Sequence, residues 1–319
     1  MTMSVGIRGD GVAARCCAHL LGEAGFRVSF ESGSRPRVPA IMLGDAAQQL
    51  IRDIFERDHL FRGLPKITRR MVAWGTHPPV ELDHSAVMVS EEFLLESLGP
   101  VPDHKGDADW TIRAAPPLAA SAHRFGSRMA VPMAVELKAA AQPDACWVES
   151  VEDGWLFLLP GWLLAVGERP LEKSRLVKEQ IARVDSATGA FPASPRMAAP
   201  LGGAGWIACG SAAMAFDPLC GDGTAHAVRE AILASAVIRA IARGEEPGPL
   251  LAHYEARLTA GFEKHLAQCR GFYASGGSGA WWTAEAEAVE RGLAWCGRKL
   301  KDHGPFRYRL NGLELSGLE

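Results

Sequence analysis

A chain of 319 residues, 48% hydrophobic and 22% charged, is large enough for two interleaved lobes and a substantial core and is composed like a soluble globular protein. A net charge of −3, with Lys and Arg scattered along the chain, excludes a basic field for nucleic acid, and no apolar run approaches the ~20 residues of a membrane span. The seven cysteines, odd in number and without a C-x-x-C pair, suggest neither a disulfide framework nor a zinc site. The N-terminus enters its first strand almost at once, which leaves no room for a signal peptide and sets the expectation of a cytoplasmic protein.

Residues 4–7 read as a short buried strand. Gly9-x-Gly11-x-x-Ala14 then turns the chain, with Val12 and Ala13 leading into a helix over residues 13–24. Residues 25–30 return as a second strand ending at Glu31. In this βαβ setting the first glycine permits a tight turn and the second lets backbone approach a pyrophosphate. The small third residue lets the helix pack close to the strand. The helix N-terminus offers unpaired N–H groups and a partial positive charge to phosphate. Glu31 follows Gly11 by 20 residues, the place of a ribose-hydroxyl acceptor. It would repel a 2′-phosphate, so FAD or NAD is expected rather than NADP. Cys16 and Cys17, inside the helix, read as buried small hydrophobes.

Residues 32–39 form a Ser/Arg/Pro-rich loop from which Arg35 or Arg37 could reach phosphates. A helix is expected over 46–55, strands over 67–74 and 85–89, and a short helix over 91–98. Ser90 is the expected N-cap of that helix, with Phe93, Leu94 and Leu98 on its apolar side. His77 and His84 flank a Pro-Pro loop and are the candidate acid/base residues, with His226 as a further titratable group. Residues 110–114 read as a strand returning to the nucleotide lobe, ending in Arg113-Ala114-Ala115-Pro116-Pro117. Residues 129–137 and 146–166 continue a second sheet, in which Asp153-Gly154 marks a hairpin turn. Residues 192–205 are a Pro/Gly-rich connection.

A second glycine-rich stretch lies about two hundred residues after the first. Residues 205–209 look like a strand that Gly210 ends, followed by Ser211-Ala212-Ala213 and then Asp217-Pro218-Leu219-Cys220-Gly221-Asp222-Gly223-Thr224. Residues 224–242 have helical periodicity, with Ala227, Ile232, Ala236 and Ile241 on an apolar stripe and Thr224 as the expected N-cap. A helix start preceded by glycines suits the electron-rich edge of a reduced flavin. Two further helices are expected over 250–273 and 284–300, around a loop at 274–279, with Trp281, Trp282 and Trp295 adding aromatic weight.

The segment GSAAMAFDPLCGDG resembles the GDAA…DP…G-x-G segment of FAD-dependent monooxygenases. It is most similar to the branch that holds the tryptophan halogenases, the geranylgeranyl reductases and small flavoproteins that mature protein-derived quinone cofactors. The resemblance covers most of residues 4–245. It implies an α/β fold: a Rossmann-type FAD-binding domain, an interleaved substrate domain on a mainly antiparallel sheet, and a helical C-terminal tail. The implied division is FAD-binding at 1–66, 101–128 and 196–245, substrate domain at 67–100 and 129–195, and a helical region at 246–319. The cofactor is then FAD, held by Gly9, Gly11, Val12, Ala13, Ala14, Glu31, Gly210, Ser211, Asp217, Pro218, Cys220, Gly221, Gly223 and Thr224. Ser211 stands where the family carries an Asp that contacts the ribityl chain, and a serine hydroxyl can still hydrogen-bond there.

The hairpin Trp147…Gly154-Trp155-x-Phe157-x-Leu159-Pro160 resembles the halogenases' W-x-W-x-I-P segment but lacks its second Trp. No lysine, Lys66 included, can be assigned as the active-site lysine, so halogenation is disfavoured. The implied reaction is hydroxylation of an aromatic group through a flavin C4a-peroxide, on a small aromatic substrate or a tryptophan of a peptide or protein partner. Electrons would come from NAD(P)H or an external reductase. A flavin-dependent reductase or dehydrogenase of a small apolar molecule and a non-catalytic flavin-binding accessory protein are the alternatives.

Overall fold

The computed structural model describes residues 3–33, 37–101, 107–118, 120–187 and 189–318. Its helices are α1 (Val12–Glu23), α2 (Asp45–Phe55), α3 (Glu91–Ser97), α4 (Gly210–Ala213), α5 (Gly223–Ala242), α6 (Pro247–Ser275) and α7 (Ala280–His303). Each strand is identified by its residues.

A five-stranded sheet runs in the order Gly202–Gly203, Trp206–Ala208, Trp110–Arg113, Ser4–Arg8, Arg27–Glu31. Its last four strands are parallel, and the crossovers place them in the strand order of a nucleotide-binding lobe. Val5, Ile7, Ile112 and Ile207 point to one face and are buried against α1 and α5. α1 can lie that close because its contact side is small: Ala13, Ala14, Cys17 and Ala18 are all buried. Cys16 and Cys17 are fully buried, as expected of small hydrophobes.

A nine-stranded sheet stands against this lobe. Its central path runs Ile181–Ala187, Met129–Leu137, Trp162–Gly167, Gly154–Leu159, Ala145–Val151, Lys66–Ala73, Val80–Val89, Ile41–Gly44. Every pairing on this path is antiparallel except that of Lys66–Ala73 with Ala145–Val151. The period of two gives the sheet two apolar faces. Trp147, Leu156, Leu158, Leu163 and Ala165 face outward and are sealed by Leu171, Leu176 and Val177. That seal is fixed by the buried Glu149 carboxylate, which accepts from the Arg175, Leu176 and Val177 N–H groups at 2.8–3.1 Å. On the other face, Trp155 and Phe157 pack into the core shared with the nucleotide lobe.

Several local expectations need correction. Phe93 is 49% exposed; Leu94, Leu95 and Leu98 form the buried side of α3. Ser90 does cap α3, accepting from the Phe93 N–H at 3.1 Å. α5 begins at Gly223 with Asp222 in the cap position, so Thr224 lies within the first turn and does not cap it. The buried side of α5 is centred on Val228, Ala231, Ala234 and Ile238, and Ala227 and Ile232 are only partly covered. The strands Ile41–Gly44, Ala122–Arg124 and the terminal hairpin Tyr308–Asn311/Glu314–Gly317 were not expected from the sequence. Among the described residues, no helix is long and apolar enough to cross a membrane.

Candidate functional site

The two glycine-rich turns meet. Gly9 has φ +120°, and a Cβ there would lie 2.8 Å from the Ala115 Cβ. Gly210 has φ +54°, and a Cβ there would lie 2.8 Å from the Ala13 Cβ and 3.1 Å from the Ala114 carbonyl oxygen. Both positions therefore require glycine for backbone sign and for space. They also explain the junction after Trp110–Arg113. The Arg113 guanidinium folds back over the Trp206 ring, 5.6 Å from its centroid. The small residues the turns need are supplied one step later, by Ala114 and Ala115.

On the first turn, Gly11 precedes α1 without a side-chain cap, leaving the first-turn N–H groups open to a ligand. Val12, Ala13 and Ala14 are buried beneath it. Glu31 ends the neighbouring strand, where its side chain forms an exposed ion pair with Arg8 at 3.0 Å. Such a pair contributes about 0–1 kcal/mol, so a ribose hydroxyl can displace it. Asp10, between the two glycines, is buried. One of its oxygens is held by Arg37 at 2.7 Å and the other has no partner among the described residues. Arg37 thus neutralises a carboxylate inside the turn instead of standing free; Arg35 lies outside the described residues.

On the second turn, Ser211 is exposed and donates to the Ala114 carbonyl at 3.3 Å. Buried Arg196 donates to the Ser211 carbonyl at 2.6 Å, and its other terminal nitrogen is buried without a partner among the described residues. The Gly210 N–H donates to the Glu230 carboxyl at 2.7 Å. Neither Arg196 nor Glu230 carries a sequence signal for this role, because each acts from a separate element.

Pro218–Cys220 form a single 3₁₀ turn, capped by Asp217, which accepts from the Leu219 N–H at 3.0 Å, and ended by Gly221 at φ +67°. Apart from adjacent backbone, nothing among the described residues lies within 4 Å of where a Cβ would sit on Gly221 or Gly223. Asp222 pairs with His226 at 3.2 Å, and the His226 ring stacks on Phe216 with centroids 4.1 Å apart.

The Asp217 side chain points away from this open face. It is fully buried, 3.1 Å from the Arg128 Nε, and accepts from the Tyr273 hydroxyl at 2.8 Å. Tyr273 in turn accepts from the Trp155 indole N–H at 3.1 Å, and Arg128 also pairs with Glu285 of α7. Burial pushes the Asp217 pKa above the usual carboxylate range, against the pull of Arg128. Burial works to lower the Arg128 pKa, but Tyr273, Asp217 and Glu285 outweigh it. The Asp217 N–H donates to His265 Nε2 at 2.9 Å. Asp217 therefore ties the turn to α6 through its N–H and one carboxylate oxygen, while the other oxygen caps the turn itself.

The two candidate histidines occupy different places. His77 is exposed at the tip between Lys66–Ala73 and Val80–Val89. His84 sits within Val80–Val89, on the sheet face that carries Arg70, Cys146 and Phe157 and looks toward the nucleotide lobe. Its Nε2 is buried without a partner among the described residues. Burial and Arg70 lower its pKa, with Asp45 opposing. A groove of about 520 Å³ opens on the α6–α7 side of the network, beside Tyr273 and Trp282 and lined also by Glu287, Glu290 and Arg291, and not over the glycine turns.

The two glycine turns at the carboxyl ends of a parallel sheet, facing an antiparallel sheet, define the fold of FAD-dependent halogenases and monooxygenases. The chain is similar in structure to CmlS, a flavin-dependent halogenase (TM-score 0.74, 18% identity, 92% of this chain and 70% of that one). It is similar to the peptidyl tryptophan dihydroxylase QhpG, essential for tryptophylquinone cofactor biogenesis (0.72, 21% identity, 100% and 86%). It is also similar to the myxobacterial chondrochloren halogenase CndH (0.75, 16% identity, 94% and 90%). No family model matches the chain, and no curated protein matches it by sequence.

Proposed function

We propose that the chain is an FAD-dependent monooxygenase that hydroxylates an aromatic group, with a tryptophan of a peptide or protein partner as the favoured substrate. The observation that carries this reading is the contact of Gly210 with Ala13, which joins two turns about two hundred residues apart into one cradle. The open α1 N-terminus lies on one side of that cradle, and open space over Gly221 and Gly223 lies on the other. The choice of substrate is supported by the likeness to QhpG over the whole chain.

In this reading the N–H groups at Val12 and Ala13 hold the pyrophosphate, and Glu31 accepts from a ribose hydroxyl after releasing Arg8. Gly210 and Ser211 approach the ribityl chain, with Arg196 supporting the Ser211 carbonyl. Pro218, Cys220, Gly221, Gly223 and Thr224 lie along the flavin ring, and Asp217 fixes their turn from behind. Bound FAD supplies oxygen activation. The face carrying Trp155 and Phe157 excludes water from the reacting edge. His84, held neutral near pH 7 by its lowered pKa, accepts or returns a proton at Nε2. His77 has a weaker claim because of its exposure. The six-segment domain division, an external donor such as NAD(P)H or a reductase, and a cytoplasmic location belong to the same proposal.

The test is FAD uptake followed by turnover. Purified protein is expected to bind FAD with a perturbed flavin spectrum, to consume oxygen once reduced, and to add oxygen mass to a tryptophan-containing peptide. A colourless preparation that takes up no added FAD would sink the reading.

A further inference from the structure

Cys220 and Cys269 bring their sulfurs to 3.7 Å across the joint between the Pro218–Cys220 turn and α6, although they lie 49 residues apart in the chain. Cys220 is partly exposed and Cys269 is buried. We propose that they are a peroxide-sensitive dithiol that closes to a disulfide and staples the Asp217–Gly221 turn to α6.

A disulfide needs its sulfurs ~2.05 Å apart, so each must move by less than about 1 Å, within reach of side-chain rotation. The turn can follow, because the backbone at Gly221 and Gly223 borders open space. Access sets the order of events. The Cys220 thiolate attacks hydrogen peroxide: an S–O bond forms, the O–O bond breaks, and the departing hydroxide takes up the proton the thiol released. Cys269 then attacks that sulfur: the S–S bond forms, the S–O bond breaks, and water leaves with the Cys269 proton. Two thiols and one peroxide give one disulfide and two waters.

Cys269 suits the second role. Its contact with Cys220 and its burial push its pKa up, so it stays a thiol until the sulfenic acid is beside it. The Cys269 sulfur also lies 3.4 Å from His265 Nε2. A second pair tests the importance of access. Cys17 and Cys209 have sulfurs 3.9 Å apart but are both fully buried, so peroxide has no path to them.

The sulfurs of Cys220 and Cys269 and a nitrogen of His265 also lie within 4.8 Å of one another, as metal ligands would. However, His265 Nε2 already accepts the Asp217 N–H, and the cluster supplies three ligands where structural zinc takes four. Redox chemistry is the better use of the pair.

The experiment uses the full chain, reduced with dithiothreitol, desalted and treated with hydrogen peroxide, with or without FAD because the reaction needs no cofactor. Thiols are counted after denaturation, and the products are mapped by peptide mass. The count is expected to fall from seven to five, with a linked Cys220–Cys269 peptide that dithiothreitol separates. C220S is expected to keep its six remaining thiols. C269S is expected to accumulate a sulfenic acid at Cys220 that dimedone traps. If C269S does not fold, the wild-type map and C220S, changed at a partly exposed position, decide the matter. Seven surviving thiols, a link between other cysteines, equal loss in C220S, or stoichiometric zinc in the purified protein would each overturn the proposal.

Discussion

Glu230 is a carboxyl group in the interior of α5, 4% exposed, whose assigned hydrogen bond is the Gly210 N–H at 2.7 Å. Burial pushes its pKa well above the usual carboxylate range, with the Gly210 contact opposing. It holds a glycine whose φ of +54° few other residues tolerate. Glu230→Gln keeps size and acceptor and removes only a proton site, and is expected to change the unfolding free energy by less than about 1 kcal/mol. Glu230→Ala leaves the N–H unpaired beside a cavity and is expected to cost about 2–4 kcal/mol in urea unfolding. Gly210→Ala strains the backbone and drives a methyl into Ala13. It is expected to lose about 1–3 kcal/mol and most FAD uptake, read by equilibrium dialysis. Retention of normal FAD binding by Gly210→Ala would refute the cradle.

The elements that were legible in the sequence are those whose signals are local. The Gly9–Ala14 turn, α1 and Glu31 lie within one βαβ unit, and the 3.6-residue period marked α5, α6 and α7 to within a few residues of their ends. What could not be read is how α6 and α7 close the site. Tyr273 reaches Asp217 across 56 positions, and Arg128 reaches Glu285 across 157. An arginine between two strands and a glutamate in an amphipathic helix look like surface residues until tertiary packing buries both. Trp282 is 1% exposed and donates to the Val151 carbonyl at 2.9 Å, a contact with no local signal. This network ties the turn bearing Pro218 and Cys220 to the C-terminal helices, so damage to it should spread to both. Arg128→Met leaves Asp217 and Glu285 buried without their cation and is expected to cost about 3–5 kcal/mol. Tyr273→Phe removes one hydroxyl and is expected to cost about 1–2 kcal/mol. Thermal melts of the two variants should preserve this ranking; equal loss would show that the ion pairs do not dominate the joint.

Over the whole molecule, acid should act through two histidines buried in α6. His253 has a pKa lowered to about 4 by burial and Arg257. His265 is lowered to about 3 by burial, His226 and Arg128, with Asp222 opposing. Unfolded, each titrates near the usual ~6.5. Between about pH 6.5 and these folded values the unfolded chain binds protons that the folded chain refuses. The stability that the neutral histidines contribute is therefore complete above ~6.5 and is lost progressively as the pH falls toward 4 and 3. Asp217 and Glu230 work in the opposite sense, since carboxyls with raised pKa values favour the folded state as pH falls, which softens the net slope. A His253→Gln variant isolates one contribution, because His253 touches Phe306 and Tyr308 and lies outside the cradle of the two glycine turns. Denaturant unfolding from pH 7 to pH 4 reads the net change in wild type. His253→Gln should lose visibly less over the same interval, even if it is less stable at pH 7. Parallel curves for the two proteins would mean that His253 protonates in the folded chain as readily as in water.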